Sequence, residues 1–242
     1  MLSYVRRSLS GTLGGGTRFH QQSFDPNPDL RITVGRQPWQ EVLVDSRALC
    51  RVSPVLRKRL TEASVDQDVP SPSRSSSSLS SGRGRASAMI HQNLPDDDPE
   101  AFCILMDIIH SRYDIANSVP IPDIETLFRV VRLAHKYEMV RVLRPYSSAW
   151  LAKFMVEMRT NMTHIEPTLL KYLLFVSWAL GEDKLFQVVG ERLAALCSLD
   201  EEAELVENTS GARLADYEYL QELDVLSKQS FESERDGFLQ KG

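Results

Sequence analysis

The chain has 242 residues, enough for one or two domains, and a hydrophobic content of 42% is sufficient for a buried core. Its net charge of −5 argues against a general nucleic-acid binder. The acidity is uneven: twelve acidic and four basic residues from Leu199 onward give −8, so the preceding 198 residues sum to +3 and are close to neutral.

Three cysteines, Cys50, Cys103 and Cys197, are too few and too scattered for a disulfide framework or a zinc site. Each lies in an apolar helical context, which suits a free thiol in a reducing compartment. The longest apolar run, Leu169 to Leu180, contains Lys171 and is too short to span a bilayer, so neither membrane nor nucleic acid is expected as a partner.

Residues 1–28 contain Arg6, Arg7 and Arg18, several Ser and Gly, and no acidic residue before Asp25. Leu2, Val5, Leu9 and Leu13 fall on one helical face, so the composition suits a mitochondrial transit peptide as well as a disordered N-terminal tail. Gly14-Gly15-Gly16 would end such a helix early and favours the tail. No strand is read here.

Leu30 to Val34 alternates with period two, Gly35 and Pro38 mark a turn, and Trp39 to Val44 alternates again: a β-hairpin. Ser46 to Val52 is one or two helical turns. Ser53-Pro54 is a cap-then-proline start for a short helix from Val55 to Glu62 that carries Arg57, Lys58 and Arg59. Ser64 to Ala88 is Ser-rich, has almost nothing to bury, and reads as a disordered insertion. Met89 to Leu94 is a third strand.

Asp98 and Pro99 cap the next helix, with Phe102, Leu105, Met106 and Ile109 on one face. After Pro120 and Pro122 a second amphipathic helix carries Leu127, Val130, Val131 and Ala134, joined by Leu133 and Tyr137. Neither stripe can be buried alone, so each must pack on a neighbour. Pro145 predicts a helix that ends near Leu143 and another that starts at the proline. Pro167 opens a helix with Leu169, Leu170, Leu173, Leu174 and Trp178 on its face, and Gly181 stops it. Asp183 opens the next, with Leu185, Phe186, Val189, Leu193 and Leu196. A third helix is expected over Ala212 to Gln229, using Leu214, Tyr217, Leu220 and Leu226, before a loose tail over 231–242.

Three phrases, in this order, resemble the BTB/POZ domain: Leu49-Cys-Arg-Val-Ser-Pro-Val-Leu56, Leu94-Pro-Asp-Asp-Asp-Pro-Glu-Ala-Phe102, and Leu133-Ala-His-Lys-Tyr137. The resemblance covers roughly Asp29 to Met155 and is most like the fungal branch of that family. There a strand pair and two short helices precede the helical half. Trp178-Ala-Leu-Gly-Glu-Asp-Lys-Leu-Phe186 also looks like the segment that follows the domain in many fungal members. One departure stands out. Family members often have His where Asp45 stands, facing an Asp matched here by Asp29. Two carboxylates there would repel if they met, so either they point to solvent or the packing differs.

The resemblance implies an α+β fold: a small sheet, made of a β-hairpin and a third strand, packed on a helical cluster and followed by an α-helical extension. The expected divisions are 1–28 tail, 29–158 BTB/POZ-like domain with insertion 64–88, 165–230 helical extension and 231–242 tail. The function implied is non-catalytic protein–protein binding, with protein partners and a homodimer in view. The alternative is a substrate adaptor for a cullin-type ubiquitin ligase. Such adaptors often carry a hydrophobic-x-Glu triplet after the short helix, which Leu60-Thr-Glu62 resembles, so Leu60 and Glu62 are the candidate partner-binding residues. Arg83-Gly-Arg85-Ala-Ser87 places two arginines before a serine, as basophilic kinases prefer, and makes Ser87 a candidate phosphorylation site. A transcription regulator would usually add a DNA-binding module, and none is visible.

No Gly-rich phosphate loop, His-Glu-x-x-His, paired Cys-x-x-Cys or nucleophile elbow occurs. An enzyme with an unrecognised site is the reading from another class, and the least favoured. No catalytic residue, cofactor or metal is assigned. His135 is read as structural or surface, and Asp96-Asp97-Asp98 as helix capping rather than a cation site. The compartment expected is cytoplasm or nucleus, with the mitochondrion as the alternative that residues 1–28 leave open.

Overall fold

The structure, a computed structural model, describes residues 8–13, 17–67, 89–111, 122–160, 166–202, 204–221 and 223. The fold is mixed α+β, with a small mixed sheet, several helices and a separate two-stranded hairpin. The chain divides into two units, Met1–Val119 with Leu133–Val142, and Pro120–Arg132 with Leu143–Gly242.

The first unit is built on a sheet of order β1-β2-β4-β3-β5. Strands β3 (Leu30–Val34) and β4 (Gln40–Val44) form the expected antiparallel hairpin, with Leu30 opposite Val44 and Ile32 opposite Val42. Opposed residues share a face, so Leu30, Ile32, Val34, Val42 and Val44 make one apolar surface, each at most 1% exposed. Strand β5 (Ile90–Leu94) pairs parallel to β3 and adds Leu94 beside Val34. Between them run α1 (Ser46–Val52) and α2 (Pro54–Gln67).

Helix α3 (Pro99–Ile109) starts as its sequence dictates. Asp98 accepts the Ala101 N–H at 2.8 Å, and Pro99 occupies the first turn, where no N–H is needed. Gly35 permits the hairpin to approach that turn. Its φ is +82°, and a Cβ there would lie 2.8 Å from Pro99 Cγ. Phe102, Leu105 and Met106 are fully buried. Ile109, expected on the same stripe, is only half-buried, while Ile108 takes an inward position. Helix α4 (Ile124–Lys136) closes in the first unit with Glu138 at φ +54° and Met139 N–H donating to Ala134 O at 2.8 Å. A 3-10 turn over Val140–Val142 follows.

In the second unit α5 (Arg144–Thr160) begins at the proline break that Pro145 predicts. Helices α6 (Pro167–Leu180) and α7 (Asp183–Ala195) form a hairpin. Gly181 at φ +76° donates to Trp178 O, and Glu182 N–H reaches Ser177 O, the Schellman closure that satisfies two terminal carbonyls. Phe128 of α4 stacks on Tyr172 with ring centroids 4.2 Å apart and meets Phe175 and Tyr219 edge-on.

Four expectations are corrected. Residues 1–28 are not without strands: β1 (Ser8–Leu13) and β2 (Thr17–Ser23) form an antiparallel pair, and β2 runs parallel to β4 from His20–Gln40 to Ser23–Leu43. Phe19 is the one large apolar residue of β2, so no apolar alternation announces that strand, although its partner β1 is only three residues away. Helix α2 continues through Ser64 to Gln67, because no Gly or Pro interrupts it before Pro70; the rest of the insertion, 68–88, lies outside the described residues. In the described part of the third helix expected over Ala212 to Gln229, a 3-10 turn (Leu214–Asp216) and one helical turn, α8 (Glu218–Gln221), stand in place of a continuous helix, because Tyr217 between them is extended; 222 and 224–242 lie outside the described residues. Leu196, expected to extend the α7 stripe, is 37% exposed because α7 has ended at Ala195. An unexpected hairpin, β6 (Cys197–Leu199) with β7 (Leu205–Glu207), follows it. Among the described residues no helix is long and apolar enough to cross a membrane.

Candidate interaction surface

Asp97 follows β5 and precedes the cap of α3, and its side chain is 2% exposed. A buried carboxylate must find donors, since the cost of leaving it unpaired is several kcal/mol, on the order of 3–5. It finds two on adjacent residues. Lys136 Nζ lies 2.5 Å from Oδ1, and Tyr137 Oη donates to Oδ2. Burial, followed by the hydrogen bond and charge of Asp97, pushes the Tyr137 phenol well above its ordinary value.

The backbone of Tyr137 is pinned as well. Ser53 Oγ donates to Tyr137 O at 2.6 Å and accepts the Leu56 N–H at 3.0 Å, so one buried hydroxyl caps α2 and ties its start to the end of α4. Around this pin cations gather. Arg59 lies 5.8 Å and Lys136 Nζ 5.4 Å from the Tyr137 ring centroid, within cation–π range. Arg57 Nε donates to Cys50 O at 2.8 Å, and Arg141 Nη2 donates to Arg51 O at 2.9 Å. Those adjacent carbonyls belong to the last turn of α1, so two guanidinium groups from different segments are held at one place.

Of the residues singled out in the sequence, Leu60 is 5% exposed and belongs to the core, while Thr61 and Glu62 are exposed. Ser87 lies outside the described residues. Asp29 and Asp45 do not share a partner. Asp29 accepts the Ser46 N–H at 2.6 Å and the Ser46 hydroxyl at 2.7 Å; Asp45 caps α1 by accepting the Arg47 N–H at 3.0 Å. Each carboxylate thus has its own donor, which answers the repulsion their juxtaposition threatens. His135 is half-buried. Of the acidic run, Asp98 caps α3, Asp97 takes the clasp, and Asp96 pairs with Arg36 at 2.6 Å on the surface. None of the three cysteines is in a disulfide and all are half-buried, and burial, then Glu207, raises the Cys197 thiol to about 11, which keeps it a poor nucleophile.

The second unit contains a pair that the sequence signalled only as an interruption. Lys171, alone in its apolar run, meets Glu207 at 2.5 Å with both side chains about 5% exposed or less. Its Nζ also lies 3.8 Å from the Tyr217 ring centroid, and Ser210 Oγ donates to Glu207 Oε2 at 2.6 Å. The arrangement holds the β6–β7 hairpin and the Tyr217 segment on α6. Among the described residues no group of three or more His, Cys, Asp or Glu could hold a metal ion.

No family model matches the chain, and no curated protein matches it.

Proposed function

We propose that the first unit is a protein–protein interaction domain of the BTB/POZ type, self-associating and without a catalytic role. One observation carries this reading: the Leu94–Phe102 and Leu133–Tyr137 phrases, both of which resemble that family, meet at Asp97, where Lys136 and Tyr137 clasp it. The third phrase joins them through Ser53. The element order supports it too, with a strand pair, two helices and a third strand ahead of α3.

Cullin docking is the alternative within the same class. It rests on Glu62 with Thr61, because Leu60 is enclosed in the core. Affinity capture from lysate, with and without added cullin scaffold, combined with light scattering at micromolar concentration, tests both. A self-associating chain that captures defined proteins supports the interaction domain, and capture that depends on the scaffold and on Glu62 supports the adaptor. A monomer that captures nothing removes both.

A further inference from the structure

We infer that the exposed basic surface at the junction of α1, α2 and the turn after α4 binds an acidic peptide segment of a partner protein. The inference rests on the reading of the first unit as an interaction domain, and names the chemistry of what it would bind. From Ser46 to Glu62 the chain carries five cations, Arg47, Arg51, Arg57, Lys58 and Arg59, against one carboxylate, Glu62; all six are exposed. Arg141, also exposed, is brought to the same place by its hydrogen bond to Arg51 O. The opposing charges nearby are Asp97, already occupied by Lys136, the exposed Glu138, and Asp29 and Asp45, both close enough to act on Cys50 and both accepting hydrogen bonds at the start of α1.

Arg57 and Arg141 are fixed by neighbouring carbonyls rather than by carboxylates. Each therefore keeps further N–H donors for an incoming oxygen anion. Guanidinium groups held near one another repel, a bound anion relieves that repulsion, and fixed side chains lose little freedom on binding.

The geometry favours carboxylates on a peptide over other polyanions. The aromatic ring among the cations, Tyr137, is fully buried and offers no face for a base to stack on. Among the described residues of this unit no large apolar side chain is exposed, so the described part of the patch offers nothing to insert into a lipid surface.

The test is fluorescence anisotropy of a dye-labelled peptide of alternating Glu and Ser with the full chain. An oligothymidylate of equal charge and phosphatidylserine vesicles serve as comparison arms. Arg57→Glu with Arg141→Glu is the first variant. Arg51→Glu with Lys58→Glu is the second, because those side chains make no hydrogen bond to another described residue and the fold should survive. Micromolar binding that weakens about tenfold or more in either variant, and also as salt rises from about 50 to about 300 mM, is expected. Equal affinity of both folded variants and the wild type overturns the inference, as does tighter binding of the oligonucleotide or the vesicles. The parent reading fails separately. If lysate partners are captured equally by wild type and variants, the interaction domain stands and this surface falls. If none is captured while the Glu peptide binds, the surface stands and the domain's assignment falls.

Discussion

Tyr137 donates its phenolic hydrogen to the buried carboxylate of Asp97, forty residues earlier in the chain. The bond closes the first unit by joining the residue that follows α4 to the turn between β5 and α3. Tyr137→Phe keeps the ring and removes one donor, which leaves Lys136 to hold Asp97 alone. The expected cost is about 1–3 kcal/mol, the penalty for stripping a partner from a buried acceptor. A urea melt at neutral pH should show the midpoint shifted and the slope retained.

The same bond predicts an alkaline limit. The folded phenol titrates above its ordinary value of about 10, so its contribution is fully present below that pH. Above about pH 10 the unfolded chain gives up the proton while the folded one keeps it, and stability falls as pH rises. Tyr137→Phe should flatten that fall between about pH 9.5 and 11 in melts compared with wild type. Identical slopes would show that the phenol is not the group responsible.

Phe102 is fully buried, and His135, two residues before Tyr137, is half-buried. Phe102→Ala should cost on the order of 3–5 kcal/mol through lost burial and a cavity, a large part of a typical domain's stability. His135→Ala should cost under about 1 kcal/mol. Thermal melts of the two proteins side by side decide it, and a severe His135 variant beside a mild Phe102 variant would mean that the α3 stripe is not core.

The elements that announced themselves in the sequence are those whose signals are local. Asp98-Pro99 writes the start of α3, Ser53-Pro54 the start of α2, and Gly181 the end of α6, each through hydrogen bonds made within a few residues. Part of what stayed hidden depends on partners distant in the chain. Strand β2 pairs with β4 as well as with its neighbour β1, and Tyr217 is extended where Lys171, forty-six residues earlier, meets its ring. The basic surface was half legible: Arg57, Lys58 and Arg59 are adjacent in sequence, but nothing there says that Arg141 joins them.

Deleting Pro70–Arg85 should leave the melting temperature within a few degrees of wild type. Helix α2 ends at Gln67 and β5 begins at Ile90, so six residues would remain to connect them. The cost of closing a loop changes slowly with its length, and a Ser-rich composition offers little to bury. Loss of a cooperative transition in calorimetry would show that this segment contributes packing to the fold.

The last prediction concerns Lys171 and Glu207. Burial works against the charge of both, yet the hydrogen bonds between them, with Ser210 on Glu207 and Tyr217 on Lys171, outweigh it: the carboxyl is held below its usual value and the ammonium above. Glu207→Gln should therefore be costly, about 3–5 kcal/mol, because it strands a lysine that is 4% exposed at its side chain. Lys171→Met with Glu207→Leu should recover much of that loss, since no charge is then left buried. The pH dependence has a definite sign. A depressed folded pKa gives stability that is present above the unfolded carboxyl value, about 4.3, and is lost as pH falls through the lower folded value. Wild type should lose stability below about pH 4.5 more steeply than the Met–Leu double variant, measured by urea midpoints from about pH 6 down to about pH 3. If the double variant is as unstable as Glu207→Gln at neutral pH, or if both proteins fall with the same acid slope, the pair does not hold the β6–β7 hairpin on α6.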